Sequence, residues 1–436
     1  MPAKGLLFLG AFAALAAAQD DPTDVLLRLR EQVTAHGQRI PNHTCVETIQ
    51  RDRFQPTHHA PTSCDALLAR RQQSGAGAFL KADIMDRLRL DVALAEDREI
   101  YSWAGASRFE EGDIDELIPE GPIGTGPFAA MLLSIFAPRN PRFFYDGDTS
   151  LAGQRLMQFS FTMPREESEY RVKAGTDWLI TGYSGTLLVE PRTATLVRLT
   201  VRTDELPPAT TACEVDSTLD YTTVQLGGLG YLLPKSAHQR FISRNGSEAE
   251  NAISFASCRE YQAEATLSFG GGVQEKAGHE AKPETDGWPV GLPVTVELAA
   301  DIALDQAAAG DRIEGRLASP IVDFLKRTLA PVGAVLSGRL MRVETRYSSP
   351  PEITIAVRWE TIEFNGVKAP IALSPVRNAS GGIVLNTPIG SRVLRRRGAE
   401  IDLPLPGEGR YAIFRFTGDH PVMKSGLRSD WMTVMP

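Results

Sequence analysis

Two hydrophobic periods divide this chain. In DDPTDVLLRLREQVTAHG, residues 20–37, Val25, Leu26, Leu29 and Val33 fall at i, i+1, i+4 and i+8. That spacing gathers them on one face of a helix. Asp21 can cap it, Pro22 suits its first turn and Gly37 its stop. Beyond Asn42 the period falls to two. In LRLDVAL, Leu88, Leu90, Val92 and Leu94 alternate with Arg89, Asp91 and Ala93, and AEDREIYSWAG turns and returns as a hairpin. QFSFTM sets Phe159, Phe161 and Met163 on one face. TLLVEPRTATLVRLTVRT predicts a hairpin turning at Pro191, Arg192 and Thr193, with Val197, Leu199 and Val201 opposite Arg198, Thr200 and Arg202. Further strands are expected over 213–224, 229–242 and 252–269, and a second helix over 126–137. Strands with one apolar and one polar face predict antiparallel sheets.

The pattern breaks near residue 271, where GGVQEKAGHEAKPETDGWP is polar, aperiodic and rich in Gly and Pro, as linkers are. Strands resume after Trp288. The clearest is ITIAVRWETIEF, with Ile353, Ile355, Val357 and Trp359 opposite Thr354, Ala356, Arg358 and Glu360. The expected fold is mainly β with one or two helices. Residues 19–271 form an antiparallel curved sheet or half-barrel with an N-terminal helix. Residues 272–288 link it to a small β-barrel or sandwich over 289–436.

The first residues, MPAKGLLFLGAFAALAAAQDD, change the setting. One lysine, a short apolar run and an A-x-A end make a secretory signal over residues 1–18, with cleavage after Ala18. The run is short for a membrane span and no later stretch reaches eighteen apolar residues. Export places the protein in a periplasm, outside the cell or at its surface. Loss of Lys4 takes the formal net charge from −8 to −9. That sign disfavours nucleic acid as a partner.

Export also governs the reading of IPNHTCVETIQRDRFQPTHHAPTSCD, residues 40–65, which holds Cys45, Cys64, His43, His58 and His59. Metal sites need ligands at fixed spacings, and C-x-x-C and H-x-x-x-H are missing from this stretch. In an oxidising compartment four cysteines favour two disulfides, with three possible pairings. The expected pairing is Cys45 with Cys64, closing a short loop, and Cys213 with Cys258. TGYSGT resembles G-x-S-x-G only loosely and sits in a strand pattern, so Gly185 is expected to serve close backbone packing. The carboxylates Glu110, Glu111, Asp113, Asp115, Glu116, Glu166 and Glu167 lie in polar loops and read as solvated faces. GPIGTGPF and FGGGV lack a phosphate-binding fingerprint, and no cofactor is implied. SRVLRRRGAE gathers Arg392, Arg395, Arg396 and Arg397, a basic patch able to meet lipid phosphates or a partner, or a solvated loop paired with acids.

Two resemblances follow from longer phrases. YSGTLLVEPRTATLVRLTV, with LAGQRLMQFSFTM and GYLLPKSA around it, resembles the periplasmic lipoprotein-carrier (outer-membrane lipoprotein-sorting) family over residues 151–242. That resemblance implies a curved half-barrel whose concave face holds acyl chains, with Phe159, Phe161, Trp178, Tyr183 and Leu199 as lining. The same residues are equally ordinary core. Residues 292–344 resemble the C-terminal β-barrel module of conjugation and type IV secretion proteins, through Gly310-Asp311 and Pro331-Val332-Gly333 to Gly338.

The resulting expectation is an exported, non-enzymatic binding protein, for a lipid or acyl chain in its most concrete form. The alternatives are a structural or assembly component of the envelope or a secretion system, and an extracytoplasmic hydrolase.

Overall fold

In a computed structural model of the chain, residues 20–37, 40–59, 63–75, 77–95, 98–106, 128–136, 142–174, 177–204, 206–260, 288–377, 411–418 and 421–435 are described. The leader, the linker over 272–288 apart from Trp288, the acidic run at 110–116 and the four-arginine patch (Arg392, Arg395, Arg396 and Arg397) lie outside them.

Helix α1 (Pro22–Gly37) begins where the Asp21 carboxylate accepts the Thr23 amide at 2.7 Å. Of the predicted stripe Val25, Leu29 and Val33 are buried, and Leu26 is partly buried at its edge. Helix α2 (Cys64–Ser74) is capped by Ser63, whose hydroxyl accepts the Ala66 amide. Helix α3 spans Phe128–Ile135.

The first unit is built on strands β1 (His43–Pro56), β2 (Leu80–Ala95), β3 (Arg98–Trp103), β4 (Arg142–Leu151) and β5 (Gln154–Met163). A small hairpin, β6 (Arg171–Ala174) and β7 (Asp177–Ile180), stands apart. The sheet continues through β8 (Tyr183–Glu190), β9 (Thr195–Thr203), β10 (Ala212–Leu226), β11 (Leu229–Ser243) and β12 (Glu248–Glu260). All neighbours are antiparallel, in the order β3-β2-β1-β12-β11-β10-β9-β8-β5-β4. Val197, expected among the inward residues, is displaced. The β8–β9 register shifts between Leu188 and Val189, so Leu196 takes the fully buried place and Val197 becomes the extra residue of a bulge.

The second unit comprises β13 (Pro293–Leu298), β14 (Ile302–Ala303), β15 (Arg312–Leu317), β16 (Ile321–Val322), β17 (Thr328–Ala330) and β18 (Val335–Arg346). It continues with β19 (Glu352–Phe364), β20 (Val367–Pro370), β21 (Leu373–Arg377), β22 (Ala412–Thr417), β23 (Val422–Met423) and β24 (Arg428–Thr433). Its core includes Val296, Leu336, Leu340, Ile355, Trp359 and Trp431. On β19 Ile353, Ile355, Val357 and Trp359 are buried as predicted, and Ala356 of the opposite face is buried as well.

No closed barrel forms among the described strands, and the second unit is hydrogen-bonded to the first. Ile84, Met85 and Asp86 of β2 pair with Arg346, Thr345 and Glu344 of β18, so one antiparallel sheet runs through both cores. Further bonds tighten the junction. The Arg89 amide donates to the Ala309 carbonyl at 2.7 Å and the Ala309 amide to Arg87 at 2.8 Å. Buried Arg339 donates to the carbonyls of Ala104 and Gly310 at 2.7 and 2.6 Å, and Arg89 pairs with Asp311.

The disulfides join Cys45 to Cys258 and Cys64 to Cys213, correcting the expected Cys45–Cys64 and Cys213–Cys258 pairing. Topology explains the difference. The spatial neighbour of β1 is β12, more than two hundred residues later in the chain. Cys64 begins α2, whose Leu67 and Leu68 pack with Cys213 and Ile242. On β11 Ile242 has the opposite parity to the inner-face Ala237, which puts α2 on the far side of the sheet from α1 and α3. His58 and His59 are exposed beyond β1, and the loop that carries them is not closed by a disulfide of its own.

Candidate functional site: the inner face of the first sheet

Directly paired residues of an antiparallel sheet share a face, so the strand registers define rows across it. One row is wholly apolar. It runs Leu88, Ile49, Ile253, Ala237, Leu219, Leu199, Leu187 and Phe159 over β2, β1, β12, β11, β10, β9, β8 and β5. All eight belong to the buried core that α1 and α3 cover. Helix α1 is held at the β8–β9 turn, where Arg28 donates to the carbonyls of Pro191 and Arg192 and Gln32 to that of Thr193.

The adjacent row changes character along its length. Glu344, Asp86, Arg51, Asn251, Gln239 and Ser217 follow one another from β18 to β10, and each is less than a tenth exposed. Arg51 donates to both oxygens of Asp86 at 2.7 Å, a bidentate pair. Past Ser217 the row turns apolar through Val201, Gly185, Phe161 and Phe143. At Gly185 a Cβ would meet the Thr200 carbonyl oxygen at 2.0 Å and the Phe161 ring at 2.7 Å. The glycine of TGYSGT therefore serves packing, as the strand context implies.

The apolar end is an aromatic cluster under α3. Phe136 stacks on Phe143 with centroids 5.4 Å apart, Phe143 meets Phe161 at 6.1 Å, and Phe161 meets Tyr183 edge-on at 6.1 Å. Tyr170 lies 5.6 Å from Tyr183 and bonds Ser217, joining the cluster to the polar row. Burial pushes the Tyr170 hydroxyl up to about 12, against the opposing bond to Ser217. A contact between the Ser134 and Tyr183 hydroxyls, 3.5 Å apart, links α3 to the sheet.

Four of the five residues expected to line a ligand space, Phe159, Phe161, Tyr183 and Leu199, come together on this face, and all are buried against the helices. Trp178 does not join them. It sits on the separate β6–β7 hairpin and is 54% exposed. The face is thus a filled core in this conformation.

The sequence reading missed the polar row and a second buried group. Glu47, on the parity of Cys45 and Ile49, is fully buried, with Oε2 lacking a hydrogen-bond partner. Burial, and then the charge of Glu99, pushes its carboxyl up to about 8. Glu99 itself accepts the Tyr101 hydroxyl at 2.5 Å. His43, on the same face, donates through Nδ1 to the Pro41 carbonyl at 3.0 Å, and burial lowers its pKa. The signal was present in CVETIQR, where Glu47 and Arg51 occupy the parity of Cys45 and Ile49.

Among the described residues no group of three His, Cys, Asp or Glu is arranged to hold a metal ion. No described helix is long and apolar enough to cross a membrane. An open surface depression along α1 is lined by Asp20, Asp21, Asp24, Leu27, Arg28 and Glu31, a mostly acidic setting unsuited to an apolar ligand. The inner face can offer two things: an extended apolar surface, and a charge-balanced polar strip beside it.

Two disulfides fit an exported protein. No protein-family model and no curated protein matches the chain. Among solved structures, the chain is similar to an outer membrane lipoprotein-sorting protein domain from Vibrio parahaemolyticus, at 12% identity and a TM-score of 0.26, over 53% of this chain and 91% of that one. It is also similar to a LolA-superfamily protein from Nitrosomonas europaea, at 9% identity and a TM-score of 0.23, over 55% and 94% of the two chains. A DUF1329-family protein from Desulfovibrio piger aligns at 9% identity with a TM-score of 0.25, over 55% and 93%.

Proposed function

We propose that this is an exported, non-enzymatic binding protein, built as two units over 19–271 and 289–436, that takes an apolar chain such as an acyl chain between the first sheet and its helices. The observation that carries the reading is the unbroken apolar row from Leu88 to Phe159, which runs beside the row ending in the aromatic cluster beneath α3. Leu132, Ile135 and Phe136 occupy that surface. A flexible hydrocarbon replacing them would keep the sheet's apolar area out of water, at roughly 25 cal/mol per Å². Exchange of one apolar cover for another conserves most of the burial that stabilises the core. The buried polar row beside it sets a boundary that hydrocarbon would not cross without stranding Arg51, Asp86 and Asn251.

Native mass spectrometry of protein purified from its source cells, followed by lipid extraction, tests the proposal. A bound species with the mass of a lipid or fatty acid is expected. Ligand-free protein that also takes up no fatty acid or phospholipid when offered would overturn it.

An assembly role is the second reading. Phe144 and Tyr145 are exposed on β4, which pairs only with β5 among the described strands. An edge strand with exposed aromatics is a surface that other chains can pair with. In-cell crosslinking from position 144 distinguishes this reading by capturing a defined envelope protein.

A further inference from the structure

The second unit carries a feature that its fold does not require. Between β16 and β17 the chain turns through Asp323, Phe324, Leu325, Lys326 and Arg327. Phe324 is 74% exposed and Leu325 75%. The hairpin is anchored without them, since Ile321 and Ala330 are fully buried in the second core. Several other tight turns among the described residues are tipped by small or polar residues, as at Ala152-Gly153, Gly227-Gly228, Gly246 and Asn365-Gly366. Where a turn does carry an exposed apolar residue, as at Val290 and Val332, it carries one and not two in succession. Here two large apolar side chains are held in water instead.

They are also held firmly. The Asp323 carboxylate accepts the amides of Leu325 at 2.9 Å and Arg327 at 2.8 Å, and the Arg327 guanidinium at 2.6 Å. The Lys326 amide donates to the Asp323 carbonyl at 2.9 Å, and the Asp323 amide to that of Arg327 at 3.0 Å. The backbone passes through a positive φ of 63° at Lys326. With the loop already ordered, docking this apex costs little backbone entropy. Arg327 offsets Asp323, and Lys326 leaves the apex with a net positive charge on a chain whose formal net charge is −8.

We propose that the Phe324–Leu325 apex is a membrane-contact wedge that dips into the interface of a bilayer containing anionic phospholipid. A convex pair of apolar side chains next to a lysine suits that interface, where apolar groups enter the acyl boundary and cations meet headgroup phosphates. A bilayer yields around a protruding tip, whereas a protein partner would need a pocket shaped to it. The surplus negative charge elsewhere is repelled by anionic lipid, so electrostatics orient the molecule tip-first. With only two apolar side chains the contact is weak and reversible, suited to a protein that visits a membrane. This site is separate from the inner face of the first sheet and does not depend on the acyl-chain proposal.

The test uses the full chain and vesicles of phosphatidylethanolamine with phosphatidylglycerol, against phosphatidylcholine alone. Flotation is expected to recover wild-type protein with the anionic vesicles. The F324S/L325S double variant should reduce the bound fraction about tenfold, in line with the loss of two interfacial apolar side chains. K326A should reduce it less, and only at low salt. Both variants should keep the wild-type melting temperature, because the altered side chains are exposed. All four cysteines are in disulfides, so a bimane-labelled L325C variant reports on the apex alone. Its emission should shift to the blue on the anionic vesicles. Equal flotation of wild type and the double variant, no flotation of either, or an unshifted bimane spectrum would each overturn the proposal. So would loss in the double variant of a crosslinked protein partner without any vesicle binding by wild type.

Discussion

Glu344 of β18 stands directly opposite Asp86 of β2, and through that pair the buried polar row of the first sheet reaches into the second unit. Asp86 is neutralised by Arg51, and Glu344 by Arg342 at 2.7 Å. Removing one partner of such a pair leaves a buried charge without compensation. Arg51→Ala is therefore expected to cost about 3–5 kcal/mol of stability in denaturant unfolding. The double change Arg51→Met with Asp86→Leu removes both charges together and is expected to cost far less. A single variant within about 1 kcal/mol of wild type would mean that the row is effectively solvated.

Gly310 marks the closest backbone approach at the junction. Its φ is 103°, and a Cβ there would stand 2.0 Å from the Arg89 carbonyl oxygen and 3.1 Å from the Trp103 ring. Gly310→Ala combines left-handed strain with a clash against backbone, which cannot swing away as a flexible side chain could. A loss of roughly 2–4 kcal/mol is expected, seen as a lower melting temperature. Gly366→Ala is the comparison. It has a φ of 75° but nothing within 4 Å of its Cβ, and should lose only the strain contribution.

Glu47 makes stability depend on pH in a definite direction. Its carboxyl titrates near 4.5 in the unfolded chain and at about 8 in the folded one. Between those values the folded state keeps a proton that the unfolded state has released. Its contribution is therefore complete below about pH 4.5, declines as pH rises, and is gone above about pH 8. The wild type should lose on the order of a few kcal/mol relative to Glu47→Gln across that window. Urea unfolding of both proteins at pH 5, 7 and 9 measures this. Parallel pH profiles would show that Glu47 finds a compensating partner.

The cysteine connectivity has a chemical test. Non-reducing peptide mapping should recover the Cys45–Cys258 and Cys64–Cys213 peptides and no Cys45–Cys64 peptide. Replacing both members of either pair with serine is expected to cost about 2–4 kcal/mol, because each disulfide closes a loop of well over a hundred residues.

Strand faces were legible in the sequence, because a half-buried strand writes its parity as alternation. Leu88, Leu90 and Val92, or Phe159, Phe161 and Met163, announce the core side without help from any partner strand. Strand partners were not legible. That β1 lies between β2 and β12 depends on contacts across two hundred residues, so nearness in the chain points to the wrong disulfide pairing. Helix α2 was not legible either, since in CDALLARRQQS only Leu67 is buried and no apolar stripe marks the helix. The polar row was hidden for another reason. Arg51, Asp86 and Asn251 share the parity of buried Ile49, Leu88 and Ile253, but only the registers show that each faces another across the inner face. Trp178 lay in an apolar-looking run, DWLI, but its hairpin pairs only with itself.

Hydrocarbon is expected to occupy the inner face of the first sheet. Photo-crosslinking with a diazirine-bearing palmitate, followed by peptide mapping, tests it directly. Adducts are predicted on Met157, Phe159, Phe161 and Leu187 and on the α3 residues Leu132 and Ile135, with competition by unlabelled palmitate. Labelling confined to exposed sites such as Phe144, Trp178 and Phe324, or labelling that excess palmitate does not reduce, would contradict the account.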